Sequence, residues 1–418
     1  MNPTEKFQKY RDADPDEAKF FWTGGPIEVA ARTWFASMFS GLTAFETDEG
    51  LVLVDTGATP LGDYLRTQIR KQTDVPLHTV IYTHGHIDHA FGVGAWLAEV
   101  GERGGRRPRI VANEAVLRRF ERYRRTAGYN SAINQRQFGL PVDFGTLSYC
   151  LPDTTFRESL RLVVGGLTFL IHAARGETDD HAWVYCPERR VLCTGDLFIY
   201  AVPNAGNPQK VQRYPWDWAD ALEAMSALDP APEALCPGHG GPVRGAARVR
   251  AALTDTAAYL RSLVEQTLTL LNRGVTFDQI ILRVQPPKEL ANRAYLQPVY
   301  DHPEFIVRNV LRYFGGWWDQ NPAMLMPASY DDQAAEIVRL AGGPAALVAR
   351  ARALAANGNL RLACHLADWA ARGAPDDAEA LQAQAELFNA RADEQESLMA
   401  ENIFRAAARA AEERATGR

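Results

Sequence analysis

The chain has 418 residues, 46% of them hydrophobic and 23% charged, so it can fill more than one packed core. Its formal net charge of -6 excludes a general attraction to nucleic acid. No apolar run reaches the length of a membrane span, and the polar, acidic start lacks the features of a secretory signal. We therefore expect a cytoplasmic protein with no membrane or nucleic-acid partner.

Between residues 35 and 244, short β-rich runs alternate with helix-like stretches and Gly/Pro turns. The predicted strands are LTAFET, GLVLVDTG, LHTVIYTHG, RPRIVAN, RLVVGGLTFLIHAA, HAWVYCPERRVLCTGD and ALCPGHG. The predicted helices between them are GDYLRTQIRKQ, EAVLRRFERYRR and WADALEAMSAL. This order predicts an α/β or α+β region with mixed sheets, and we assign residues 1–245 to this domain.

Strand signals almost disappear after Gly245. A long amphipathic pattern ends at Gly274, and Thr276 is a plausible N-cap for the next helix, which the pair Pro286 and Pro287 stops. From Tyr330 onward, Ala-rich helices follow one another at the spacing of tetratricopeptide-like repeats. Residues 246–418 are therefore predicted to form an all-α domain.

The sequence THGHIDH, residues 83–89, directly follows the apolar run HTVIY. That run predicts a buried strand, so the histidines lie in the loop where the strand leaves the sheet. In an extended loop His84 and His86 can converge on one cation, while Asp88 and His89 turn toward a second. Imidazole and carboxylate ligands together favour zinc or a similar metal.

This loop supplies too few ligands for even one metal site, so further ligands must come from elsewhere. His181 in GETDDH, Asp196 in CTGDLF and His239 in CPGHGGP each lie beside a strand-like run and a glycine. Asp179 or Asp180 could replace or support His181. The cysteines are odd in number and show no CxxC spacing, so a thiolate zinc site is not indicated.

HGHIDH, with VLVDTG before it and TGD and PGHG after it, resembles the metallo-β-lactamase superfamily of hydrolases. The resemblance implies an αββα sandwich. It also implies that His84, His86 and His181 bind one metal and that Asp88, His89 and His239 bind a second. Asp196 would bridge the two metals, and Asp55 would orient the ligand loop from behind.

Two further segments resemble the alkylsulfatases of this superfamily. RNVLRYFGGWWDQNPAMLMP, residues 308–327, resembles the start of their dimerisation domain, and YNSAINQRQFG, residues 129–139, resembles a stretch that approaches the sulfate ester. The resemblance implies a homodimer formed through the C-terminal helical domain. Those enzymes generally use glutamates where this sequence has His181 and Asp196.

The implied chemistry is hydrolysis of a small anionic ester, most specifically a sulfate monoester, by two zinc or similar divalent ions. Two such ions generate a hydroxide nucleophile at neutral pH, and Asp88 could also take or return a proton. An anionic substrate needs cationic and donor groups, for which Asn130, Arg136, Lys210 and Arg213 are candidates. Nothing in the sequence decides between C–O and S–O cleavage.

Two other functions remain compatible with the sequence. The same site could hydrolyse a lactone, thioester or phosphodiester, because function depends on the site and not on the fold. The repeat-like helices could instead bind partner proteins, with the metals serving structure alone. Arg118, Arg119, Arg122 and Arg125 predict a basic helical face, which we interpret as solvated because no RNA-binding motif accompanies it.

Overall fold

The computed structural model describes residue 20, residues 22–139 and residues 141–417. The chain divides into two compact units. One consists of Met1–Asn130 with Asp143–Gly316, and the other of Ser131–Val142 with Trp317–Arg418.

In the first unit, strands β1 to β7 form one sheet in sequence order. β1 to β4 are joined antiparallel, while β4, β5, β6 and β7 run parallel. The strands are β1 (Gly24–Ala30), β2 (Thr33–Met38), β3 (Ser40–Thr47), β4 (Gly50–Val54), β5 (Leu77–Ile81), β6 (Arg109–Asn113) and β7 (Thr154–Phe156). The fully buried run GLVLV forms β4, as expected for a parallel strand covered on both faces.

The second sheet has the order β13-β12-β11-β10-β9-β8. All its neighbouring pairs are antiparallel except β11 and β12, which run parallel. The strands are β8 (Ser159–Val164), β9 (Leu167–Ala173), β10 (Ala182–Cys186), β11 (Val191–Gly195), β12 (Ala234–Pro237) and β13 (Val243–Arg244).

Helices connect and cover these sheets, and α5 passes from the first unit into the second. They are α1 (Thr59–Arg70), α2 (Ile87–Ala90), α3 (Val93–Glu102), α4 (Ala115–Arg125), α5 (Ala127–Phe138), α6 (Pro215–Ser226), α7 (Ala246–Leu271), α8 (Phe277–Arg283) and α9 (Pro303–Gly315). The predicted helix end near Gly274 and the predicted start after Thr276 are confirmed, since α7 ends at Leu271 and Thr276 precedes α8.

The two sheets face each other across one apolar core. Phe45 of the first sheet contacts Phe169 of the second edge to face, with ring centroids 5.2 Å apart. Helices α1 and α3 pack against each other beside the first sheet, and α7 packs against α6 and against β12 and β13 of the second. The predicted αββα sandwich is confirmed.

The second unit is helical in its described residues, as predicted. Its main helices are α10 (Tyr330–Leu340), α11 (Pro344–Ala356), α12 (Leu360–Gly373), α13 (Ala378–Asp393) and α14 (Leu398–Thr416). Side chains of Ser329, Asn359, Asp377 and Ser397 cap four of these helices by accepting a backbone N–H. Buried alanines such as Ala370, Ala380 and Ala383 let the helices approach closely.

The compact units divide the chain at residue 316, whereas the sequence favoured a domain boundary after residue 245. Leu260 of α7 and Ile306 and Val310 of α9 belong to the same apolar core as both sheets, which explains the later division. The functional domain boundary stays a prediction. No helix among the described residues combines the length and the hydropathy needed to cross a bilayer.

Candidate metal centre

Four strand ends meet at one edge of the sandwich and carry the predicted ligands. The THGHIDH loop follows β5, and its second half forms the short helix α2. Asp196 follows β11, and His239 follows β12. Glu177 and His181 precede β10, which runs antiparallel to β11 and so begins at the same edge.

The first ligand group consists of His84, His86, Glu177 and Asp196, whose candidate donor atoms all lie within 4.8 Å of one another. His84 Nε2 lies 2.9 Å from His86 Nδ1. Glu177 Oε2 lies 3.5 Å from His84 Nε2 and 3.2 Å from His86 Nδ1. Donors that converge in this way can hold a single cation.

The second ligand group consists of Asp88, His89 and His239. Asp88 Oδ2 lies 3.6 Å from His89 Nε2 and 3.5 Å from His239 Nε2. His239 Nδ1 lies 2.7 Å from the backbone oxygen of Phe39. Because a carbonyl only accepts, Nδ1 donates this hydrogen bond, and Nε2 keeps its lone pair for a ligand.

Asp196 joins the two groups. Its Oδ1 lies 3.1 Å from His89 Nε2, and its Oδ2 lies 3.4 Å from His239 Nε2 and 4.0 Å from His84 Nε2. A Cβ atom at Gly238 would come within 2.0 Å of Asp196 Oδ1, so only glycine allows this approach. The carboxylate therefore has the position that a residue bridging two cations requires.

Asp55 supports the ligand loop from behind, in keeping with its predicted orienting role. It accepts hydrogen bonds from Thr83 N at 2.8 Å and Thr83 Oγ1 at 2.7 Å, and its Oδ2 lies 2.9 Å from His89 Nδ1. Thr83 Oγ1 also lies 3.0 Å from His84 Nδ1. One carboxylate thus orients a histidine of each ligand group, as acidic residues behind metal-binding histidines commonly do.

Three atoms of the ligand groups are buried without a hydrogen-bond partner among the described residues. They are His89 Nε2, Glu177 Oε2 and Asp196 Oδ1. Buried polar atoms left without hydrogen bonds are costly, so their presence together fits ligands of a cation.

The electrostatics of the two groups also fit a cation. Burial lowers the pKa of His86 to about 4, which keeps the imidazole neutral and able to bind metal. Burial also opposes charge on His89, but the carboxylates of Asp196, Asp88 and Asp55 outweigh it and raise its pKa well above the usual value. Positive charge is therefore favoured at this position, and the residues present fit divalent metal binding.

Two family models match the chain. The model of the metallo-beta-lactamase superfamily matches residues 42–239, and the model described as alkyl sulfatase dimerisation matches residues 276–414. The chain has the metallo-β-lactamase fold, followed by a C-terminal region that matches the alkyl sulfatase dimerisation model.

Several alkylsulfatases are similar to this metallo-β-lactamase-fold chain. A linear primary-alkylsulfatase from a Pseudomonas strain is 27% identical over 364 residues, which are 82% of this chain and 68% of the relative. An alkyl/aryl-sulfatase of Saccharomyces cerevisiae is 26% identical over 337 residues, 75% of this chain and 52% of the relative. The chain therefore spans about half to two thirds of the length of these relatives.

The fold similarity extends over nearly the whole chain. The structure of the stereoselective inverting sec-alkylsulfatase Pisa1 from Pseudomonas matches with a TM-score of 0.84 at 23% identity. The match covers 94% of this chain and 66% of that one. At this identity the similarity shows a shared fold.

His181 differs from its predicted place in the metallo-β-lactamase site. Its Nε2 accepts a hydrogen bond from the backbone N–H of Asp196 at 3.0 Å, and its ring stacks on His84 with centroids 4.6 Å apart. His181 belongs to neither ligand group, and Glu177 lies beside His84 and His86 instead. A ligand role for His181 stays a prediction. Glu177 lies in the same GETDDH segment as His181, and the resemblance to alkylsulfatases, which generally have a glutamate where this sequence has His181, is the signal that could have identified it.

Glu177 is held from the side opposite to the histidines. Arg213 Nη1 lies 2.5 Å from Glu177 Oε1, and Asn204 Nδ2 donates a hydrogen bond to the same oxygen. Burial opposes ionisation of Glu177, but Arg213 and His86 outweigh it and lower its pKa well below the usual value. Glu177 is therefore a charged carboxylate with Oε2 directed at His84 and His86.

The predicted substrate residues occupy different environments. Arg213 is buried against Glu177, and Asn130 donates hydrogen bonds to Thr126, the residue just before its own helix α5. Lys210 is half-buried; burial and Arg213 lower its pKa to about 7, while Glu177 and Asp88 oppose this shift. Arg136 is exposed and belongs to the second compact unit. Their contacts with substrate stay predictions.

Arg119 is a supporting residue that the sequence placed incorrectly. We expected it on a solvated face, but it is 3% exposed, and its Nε lies 2.7 Å from Asp180 Oδ1. Asp180 Oδ2 accepts the backbone N–H of Gly85, between His84 and His86, at 2.9 Å. Val116, Phe120 and Tyr123 are buried with Arg119, so helical periodicity alone could have placed it on the inner face.

Proposed function

We propose that this chain is a dinuclear zinc hydrolase that acts on an alkyl sulfate ester. The observation that carries the proposal is the position of Asp196 between two groups of ligand residues in a metallo-β-lactamase fold. The relatives named alkylsulfatases support a sulfate ester as the substrate class. The glutamate in the first ligand group also agrees with the pattern typical of those enzymes.

His84, His86 and Glu177 would hold the first ion, and Asp88, His89 and His239 the second, with Asp196 shared between them. Two such ions supply Lewis acidity toward the ester and a hydroxide nucleophile at neutral pH. The chain's own contribution is orientation, because Asp55 fixes one histidine of each group and Arg213 fixes Glu177.

Asp88 is the residue best placed to carry a proton. Its side chain is 17% exposed, whereas those of His89, His239 and Asp196 are 0%, 6% and 6% exposed. Asp88 therefore lies on the more open side of the second group, where it can exchange a proton with substrate or water. Lys210 is close enough for Glu177 and Asp88 to influence its pKa, so its protonated form would attract an anionic ester to the site.

The overall reaction consumes one water and releases an alcohol, a sulfate ion and a proton from each sulfate monoester. Breaking the C–O bond places the oxygen of water in the alcohol, and breaking the S–O bond places it in the sulfate. Hydrolysis in heavy-oxygen water, with mass analysis of both products, distinguishes these routes.

The main test combines metal analysis of the purified protein with a panel of alkyl sulfates, phosphodiesters, thioesters and lactones. We expect about two zinc ions per chain and turnover of alkyl sulfates. Asp88→Asn should reduce turnover strongly, with Arg118→Ala on the surface as the matched control. A zinc-loaded protein that cleaves another ester and no alkyl sulfate contradicts the substrate, and one that cleaves no ester contradicts the enzymatic function.

We also propose that the chain forms a homodimer through its second unit. The alkyl sulfatase dimerisation match covers residues 317–414 of this unit. Trp317 is 75% exposed, Met326 88% and Tyr330 66%. If these side chains form a contiguous apolar patch, that patch would mark a surface that a partner copy covers.

Light scattering after size exclusion should give twice the 46.3 kDa chain mass for the wild type. The double substitution Trp317→Glu and Met326→Glu should shift the protein toward monomer, because it puts two charges into the apolar surface. Glu413→Gln, at an exposed position of α14, is the control. A monomeric wild type at micromolar concentration would contradict the homodimer.

A further inference from the structure

The groups that hold Glu177 come from a segment without helix or strand. Asn204 and Arg213, which both contact Glu177 Oε1, lie at the two ends of residues 204–213. Such a segment does not fix its side chains by its own backbone pairing. Whatever holds this segment therefore also determines where Glu177 Oε2 points.

Asn309, in the middle of α9, holds the C-terminal end of the segment. Its Nδ2 donates to the backbone oxygen of Arg213 at 2.9 Å, and its Oδ1 accepts from Gln212 Nε2 at 3.1 Å. Arg312, one turn later, donates to Asn309 Oδ1 at 3.0 Å and to Gln212 Oε1 at 3.0 Å. Asn309 is 5% exposed, so these bonds are shielded from water.

The start of α9 holds the N-terminal end of the segment. Asp301, just before the helix, is fully buried, and its Oδ2 accepts the backbone N–H of Gly206 at 2.8 Å. A Cβ atom at Gly206 would lie 2.1 Å from Ile306 N, so the segment lies directly against the first turn of α9. Both ends of the segment are thus fixed to one helix.

We infer that α9 positions the first metal ligand group and that Asn309 is the positioning residue. The contacts run from Asn309 to the backbone of Arg213, and from the Arg213 guanidinium to Glu177. No described hydrogen bond or ion pair links Asn309 to Asp88, His89 or His239, so its main effect should fall on the first group. The inference depends on the proposed metal centre and assigns a second role to a helix within the dimerisation match.

The test is a zinc titration of the full chain against a competing chelator, which reports the affinity of each zinc ion without an activity assay. Asn309→Ala should lower the affinity of one of the two ions about ten-fold, the low end for residues that orient metal ligands. The other ion should keep its wild-type affinity. Arg308→Ala, the neighbouring exposed position whose guanidinium pairs with Glu304, is the matched control and should change neither.

Asn309→Asp is a second variant, for use if Asn309→Ala does not fold. It keeps the acceptor oxygen but replaces the Nδ2 donor that contacts the Arg213 carbonyl, so it should lower the affinity for the same zinc ion. Wild-type affinity for both ions in either folded variant overturns the inference. Equal weakening of both ions, with a lower unfolding midpoint, overturns it as well, because that result reports a general loss of structure. A wild type that binds zinc but cleaves no sulfate ester contradicts the proposed substrate and leaves this test valid.

Discussion

The two halves of the candidate metal centre are built in different ways. His84, His86, Asp88 and His89 come from six consecutive residues after one strand. Asp55, at the end of the neighbouring strand, holds His89 directly and His84 through Thr83. Opposite them, Glu177 depends on Asn204 and Arg213, and these depend on α9, about a hundred residues further along the chain. The first half is a local motif, and the second exists only in the folded unit.

This difference has a functional consequence. The local half should resist most distant substitutions, because its ligands share one loop that the carboxylates of Asp55 and Asp180 hold. The assembled half has more contacts through which substitutions can change its geometry. The first ligand group contains Glu177, so its metal affinity should respond more strongly to distant substitutions than the affinity of the second group.

The largest effect on stability is expected at Arg119. It pairs with Asp180, which lies near Glu177 in the chain and holds the backbone of the histidine loop at Gly85. Arg119→Met leaves Asp180 buried without its cation and should destabilise the fold by about 3–5 kcal/mol. In the wild type, burial raises the pKa of Asp180, but Arg119 outweighs it and lowers the pKa below the usual value. The ionised Asp180 carboxylate, paired with Arg119, therefore stabilises the wild-type fold at pH 5 to 7. This stabilisation is lost only as pH falls through the lowered pKa of Asp180.

In the variant burial remains while the largest opposing charge, that of Arg119, is gone, so the pKa of Asp180 should rise above its unfolded value of about 3.9. The variant should then lose further stability relative to wild type as pH rises from 5 to 7. Urea unfolding at both pH values measures this difference. Arg118→Met, on the exposed side of α4, should stay within about 0.5 kcal/mol of wild type. An equal loss at both pH values would argue against an unpaired Asp180.

The assignment of Glu177 in place of His181 gives the next largest effect. Glu177→Gln removes a charged ligand and should lower the affinity for one zinc ion by more than about 100-fold. Substitution of residues that only orient a ligand costs up to about that factor. His181→Gln keeps an acceptor near the Asp196 amide and should change affinity less than about ten-fold. Zinc competition measures both variants, and the reverse order would restore the ligand role predicted for His181.

Asp55→Asn should weaken both zinc ions, because Asp55 orients a histidine of each ligand group. The amide keeps the size of the side chain but lacks the charge that holds the His89 imidazole. We expect a loss of about 10–100-fold for each ion in the same titration. If only one ion is affected, Asp55 supports a single group.

Asn204→Ala should have the smallest effect of the series. It removes one hydrogen bond to Glu177 Oε1 and leaves the Arg213 ion pair in place. Affinity for one ion should fall about ten-fold or less, while the ion held by Asp88, His89 and His239 is unaffected. A larger loss than in Asp55→Asn would contradict the proposed order of support.

The sequence predicted what depends on local patterns. Buried runs such as GLVLV and LHTVI became strands, and the closely spaced histidines identified one edge of the sandwich. Glu177 was missed because one glutamate in a polar segment has no spacing that marks it as a ligand. Its role depends on Arg213 and Asn309, which meet it only after folding.

The domain boundary shows a similar limit. Amphipathic spacing correctly predicted α7, but spacing shows only that a helix has an apolar face and not which surface that face covers. Leu260 and Val310 pack into the core of the sandwich, so the compact unit continues to Gly316. Arg119 was misplaced for the opposite reason, since its charge was given more weight than its helical position.

The backbone of Asp55 restricts how this position can change during evolution. Its φ of 59° lies in the left-handed region, which asparagine, aspartate and glycine tolerate better than other residues do. A glycine there would keep the chain path but lose every side-chain contact to Thr83 and His89. Few single substitutions are therefore tolerated at this position. Asp55→Asn removes the charge while its backbone can still adopt the left-handed conformation.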